Sequence, residues 1–174
     1  MWKRHLWRIL MPLVITLLAC GVQTVLWPNI FGELTAPPLW LLVITWLSLY
    51  RERSSTILLV YAAGWLTSAF TAMPLKMMFT SLLILHLVVT FTRQRIFWSG
   101  VSYFVLASVC SVAAFQIIYM ALSVFLEPVR AAWLPLERIV QLLLVVPSSF
   151  VVYVVMNRFE LPHPAEQRAH EGGL

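Results

Sequence analysis

The feature that most constrains this chain is a series of long apolar runs, free of charge, separated by short basic turns. A helix needs about 20 apolar residues to cross the hydrocarbon core of a bilayer. In lipid every backbone N–H and C=O has to be bonded, and only a helix does this within one segment. The first run extends from about Ile9 to Trp27 and is expected to stop before Pro28-Asn29. Ser55 to Met73 is closed by Pro74, and Leu75 to Thr92 ends at Arg93-Gln94-Arg95. Phe97 to Leu126 would measure about 45 Å as helix, so it is expected to project from the membrane or tilt. Ile139 to Met156 contains Pro147, an expected kink. A shorter run, Leu39 to Tyr50, lies between Pro37-Pro38 and Arg51. It either crosses with little tilt or begins as a re-entrant piece from Phe31.

These runs define an all-α integral membrane protein with about six transmembrane helices. Of 174 residues, 61% are hydrophobic and 11% charged, whereas soluble domains are roughly a quarter charged. One polytopic domain is expected over residues 1–157, followed by a short polar tail, 158–174. The formal net charge of +5 does not indicate nucleic acid, because the basic residues are scattered over short loops.

Their distribution instead carries topology. Under six crossings, Lys3, Arg4, Arg8, Arg51, Arg53, Arg93, Arg95, Arg158 and Arg168 fall on one side, and Lys76, Arg130 and Arg138 on the other. The positive-inside rule then puts both termini in the cytoplasm, in a multi-pass protein of the bacterial inner membrane. Indoles prefer the headgroup level, which marks Trp2, Trp7 and Trp98 as inner and Trp27, Trp40 and Trp133 as outer. Trp46 and Trp65 lie deeper and read as packing residues. The outer segment EPVRAAWLPLER, Glu127 to Arg138, suits a short interfacial helix. Leu17-Leu18-Ala19-Cys20 has the form of a lipoprotein signal. The apolar run continues through Val22, Val25 and Leu26, however, and an uncleaved first helix is expected. With no CxxC or Cys/His spacing, Cys20 and Cys110 read as small core residues.

Ionisable residues at membrane depth are candidates for function, because burying them in lipid is costly. His86 is the only one deep in a run, and bonding to a Ser, Thr or carbonyl of another helix is expected for it. All seven acidic residues are Glu, so an intramembrane aspartyl pair is excluded. HExxH and a phosphate-cradling Gly loop are also missing, and neither an enzyme nor a cofactor or metal site is expected. Gly64, Thr67, Ser68 and Thr71 share one helical face by their i, i+3, i+4, i+7 spacing. They form a candidate helix-packing or partner seam, with hydroxyls able to bond across it. Ala107, Ser111 and Ala114 repeat the idea, and the two seams are expected to meet. Gln23, Lys76, Gln116 and Glu127 form a candidate outer-leaflet partner surface, with Lys76 expected to pair with Glu33, Glu127 or Glu137.

One layout gathers several of these features: Pro38-Leu39-Trp40-Leu41-Leu42, then Trp46 and a basic turn at Arg51 and Arg53. Gly64 follows, opening a small-residue helix, then Leu75 and the Arg93/Arg95 turn before Phe97. The layout resembles that of the rod shape-determining MreD family over most of the chain. Members often carry an Asp four residues after the helix Gly, then Ser-Gly and Leu-Gly pairs. Here those places hold Ser68, Thr71-Ala72 and Leu75-Lys76, the pattern of a divergent member. The resemblance implies a fold similar to the S-components of energy-coupling-factor transporters. It further implies a non-enzymatic scaffold of the cell-elongation complex, embedded in membrane lipid and binding the bitopic protein MreC. Such a scaffold links MreB filaments to a peptidoglycan glycosyltransferase and transpeptidase. The fold likeness also implies an alternative, a membrane subunit binding a small, vitamin-like solute.

Overall fold

In the computed structural model, residues 2–51, 53–95, 100–126 and 134–159 are described, and all the regular structure among them is helical. Helix α1 (Trp2–Gly21) passes through a π-helical turn (Val22–Leu26) into α2 (Trp27–Phe31). The stop expected before Pro28 is therefore overturned. In the π turn the Trp27 N–H reaches back to the Val22 carbonyl. Pro28 then falls in a first helical turn, where a missing N–H is tolerated. The helix ends instead at Gly32, whose φ of 62° favours glycine.

Helix α3 (Leu39–Tyr50) has the boundaries its flanking prolines and Arg51 dictate, and residues 32–38 ahead of it are not helical. Helix α4 (Arg53–Ser68) ends five residues short of the expected Met73. Its last turn tightens, with Ala69 N–H donating to Leu66 O and Phe70 N–H to Thr67 O. Pro74 does not close α4 but opens α5 (Leu75–Arg95), its carbonyl accepting from the Met77 and Met78 N–H groups. Helices α6 (Val101–Leu126) and α7 (Pro135–Phe159) complete the chain.

Residues 97–99 of the expected fifth run and 127–133 of the outer segment lie outside the described residues, as does the tail from 160. Pro135 opens α7 itself, so Leu136, Glu137 and Arg138 belong to its first turn rather than to a separate interfacial helix. Glu137 in that turn and Arg158 in the last complement the helix dipole. Around Pro147 the Ser148 and Ser149 hydroxyls donate to Leu144 O and Val146 O, and helical structure continues through the proline.

Four segments are long and apolar enough to cross a membrane: Ile9–Phe31, Leu75–Arg93, Val101–Leu126 and Pro135–Phe159. Helices α3 and α4 are shorter apolar helices, and for α3 the packing explains how. A helix that is hydrophobic all round belongs in an interior, and ten of the twelve residues of α3 are buried. It touches α1, α4, α5, α6 and α7, which follow one another around it in that order. At about 18 Å it is too short to face lipid across a core of roughly 30 Å. Enclosed by protein, it need not, and the non-helical chain at buried Pro37 is tolerated for the same reason.

Two tryptophans change place accordingly. Trp40 is no interfacial anchor but a core residue, set edge-on against Phe115 at 5.5 Å. Trp65 is not packed inside but 69% exposed on the outer face of α4. Many large apolar side chains are exposed on that exterior, Leu58, Phe125 and Phe150 among them, as a lipid-facing surface requires. Arg51 and Arg93 come together at one end of the bundle. The Arg93 guanidinium donates to the Arg51 carbonyl at 2.6 Å, and Tyr50, Phe104 and Tyr153 pack together beside it.

Candidate functional site

His86 on α5 is 2% exposed and pairs with Ser48 on α3, Oγ to Nδ1 at 2.9 Å. The contact joins α3 to α5 inside an apolar core, where a buried polar group needs a hydrogen-bond partner. Ser48 carries no signal in the sequence beyond being the one serine in α3. Its role appears only when α3 and α5 are packed together. Among the described residues no group of three or more His, Cys, Asp or Glu is placed to hold a metal.

The small-residue face on α4 is built differently from its expected form. Gly64 is buried against α5, where an added Cβ would meet Leu82 Cδ1 at 2.7 Å and Phe79 at 3.4 Å. Thr67 is fully buried, yet its hydroxyl donates back to Gly64 O, and the Ser68 hydroxyl donates back to Trp65 O. The hydroxyls bond their own helix rather than crossing to another. Thr71 lies beyond the end of α4. Nor do the two seams meet: α4 packs on α1, α3 and α5, while Ala107, Ser111 and Ala114 of α6 turn toward α3 and α5.

The four outer-leaflet candidates are also separated. Lys76, exposed at the start of α5, donates to the Leu126 carbonyl at 2.9 Å. A cation thus sits on the last turn of α6, where the helix dipole is negative. Of the carboxylates expected to pair with Lys76, Glu127 lies outside the described residues. Gln116 sits about 15 Å back along α6 from that end, its amide donating to Gln141 Oε1 at 3.2 Å. Gln141 in turn donates to Ala36 O and accepts from Arg138. This network ties α6, α7 and the segment before α3 together. Gln141 was overlooked in the sequence, although it is the one amide in the last apolar run. Gln23 lies in the π turn of the first crossing, with its Oε1 buried and unpartnered among the described residues.

A cleft opens on the side of the bundle between α5 and α6, with Leu49 of α3 lining it and about 130 Å³ of free volume. Leu85, Val88 and Val89 form one wall, and the small residues Ala107, Ser111 and Ala114 the other. Cys110 also lines it, whereas Cys20 is buried inside the first crossing. Thr92 and Tyr103 close its end, beside the Arg93–Arg51 contact.

No protein-family model, curated protein or solved structure matches the chain.

Proposed function

We propose that the chain is a divergent MreD-like scaffold of the bacterial cell-elongation complex, a multi-pass protein of the inner membrane with its basic end and both termini in the cytoplasm. On this reading α3 and α4 supply two further passes, α3 inside the bundle, in an arrangement of the S-component kind. The scaffold does no chemistry of its own. It holds a single-span, MreC-like protein and couples MreB filaments to the glycosyltransferase and transpeptidase that build peptidoglycan.

The observation that carries this reading is how the interior is used. The space at the centre, where a transported solute would sit, is occupied by α3 with Trp40, Trp46 and four consecutive aliphatic side chains from Leu41. The deep histidine is turned on Ser48. What remains to meet other molecules is an apolar exterior and two polar ends, the surface a scaffold needs. The Pro38-to-Phe97 layout supports the same family.

Depletion in a rod-shaped bacterium tests it. Rounded cells are expected, together with co-purification of a single-span protein carrying a periplasmic coiled coil. Cells that keep their rod shape would overturn the proposal. So would tight retention of a vitamin-sized solute by the purified chain, which favours the transporter subunit.

A further inference from the structure

We infer that the cleft between α5 and α6 is a binding site for one anionic phospholipid, an acyl chain lying in the cleft and the phosphate at Arg93. The inference needs only that the long helices cross a membrane, and it stands apart from the scaffold reading. Three observations lead to it.

The first is size. A free volume of about 130 Å³ is near the ~150 Å³ of apolar cavities that accept a benzene-sized guest. A helix, some 10–12 Å across with its side chains, does not enter such a space. A stretch of a single hydrocarbon chain does, entering sideways with the rest of the chain lying along the open flank of the cleft.

The second is depth. The α6 wall of the cleft extends from Tyr103 to Ala114, about 16 Å along the helix axis. That is one leaflet, half of a roughly 30 Å hydrocarbon core. A partner helix would follow its neighbour across both leaflets, whereas a lipid tail stops at the midplane, as the cleft does.

The third is charge, and it selects the headgroup. Arg93 adjoins Thr92 at the end of the cleft, which Tyr103 also lines. One of its N–H groups donates to Arg51 O. A guanidinium has five donors in a fixed fork, so others remain for a phosphate oxygen. The N-terminus of α6 lies at the same level and adds the positive end of its dipole. A zwitterionic headgroup gains less from this corner than an anionic one.

Native mass spectrometry of the delipidated full-length protein, titrated with dioleoyl phosphatidylglycerol or dioleoyl phosphatidylcholine, tests the inference. One phosphatidylglycerol per chain is expected to be retained in preference to phosphatidylcholine. Arg93→Gln should reduce that preference about fivefold, the effect of one cation beside an anionic lipid, and Arg93→Lys should restore most of it. Ala107→Leu or, independently, Ala114→Leu fills the cleft and should abolish retention of both lipids. Equal retention of the two lipids by the unaltered protein overturns the inference, as does the absence of a one-to-one adduct. Either of these results is read without any variant. An adduct unchanged in a folded cleft-filling variant also overturns it.

Discussion

His86 shows how a single residue is read twice. Its depth in an apolar run is visible from the sequence, and so is the expectation that another helix satisfies it. Which helix is not visible, because Ser48 lies 38 positions earlier and looks like any other small residue. Interhelical hydrogen bonds of this kind average about 0.6 kcal/mol in membrane proteins. Ser48→Ala is therefore expected to lower the unfolding midpoint in detergent only slightly, while a depleted rod-shaped host stays complemented. A large loss would mean that the pair does more than hold α3 to α5. Gly64 makes the complementary point, that spacing marks a small residue without saying what it faces. Against Leu82 a single methyl meets only the movable end of a side chain. Gly64→Ala should be tolerated after a small shift of Leu82, whereas Gly64→Leu overpacks the contact and should cost about 1–3 kcal/mol. Both are measurable by thermal unfolding in detergent.

At the scale of an element, α3 was legible in its boundaries and not in its position. Pro37-Pro38 and Arg51 delimit it, and its uniform hydrophobicity is compatible with either a lipid-facing span or a buried one. Only its neighbours decide. The same ambiguity covers Trp46 and Trp65, two indoles at similar depth in the sequence. Trp46 is 5% exposed on α3 and Trp65 is 69% exposed on α4. Trp46→Ala should cost about 3–5 kcal/mol of stability, while Trp65→Ala should stay within about 0.5 kcal/mol. Equal effects would contradict the central placement of α3. At the other end of the bundle, Lys76 ties the start of α5 to the last carbonyl of α6. Lys76→Met should cost about 0.3–1 kcal/mol, the worth of a cation at a helix C-terminus. Low-salt hydrogen exchange should show the last turn of α6 opening more readily.

Over the whole molecule the decisive quantity is the asymmetry of basic residues between the two ends. The Arg93–Arg51 contact places two of the basic turns together. The contacts of Tyr50 with Phe104 and Tyr153 bring the start of α6 and the end of α7 to the same end. With that end cytoplasmic, a membrane-impermeant maleimide should reach Glu33→Cys from outside intact, outer-membrane-stripped cells. Asn157→Cys, in the same Cys-free background, should react only after permeabilisation. The reverse pattern would invert the proposed orientation.

The sequence by itself determined that the chain is built of apolar helices and roughly where each of them lies. Apolar length and the placement of Lys and Arg are local properties, and the bilayer reads them one segment at a time. The structure alone decided what each apolar face meets. A leucine facing lipid and a leucine facing another helix are the same residue in a nearly uniform apolar medium, so periodicity cannot sort them. That is why the end of α4, the burial of Trp40, the exposure of Trp65 and the separation of the two small-residue seams came only from packing. The cleft beside Arg93 belongs to the same class, since it exists only where α3, α5 and α6 come together. The charge-free runs, four of them long and apolar enough to cross a membrane, thus surround a central helix that is almost wholly buried.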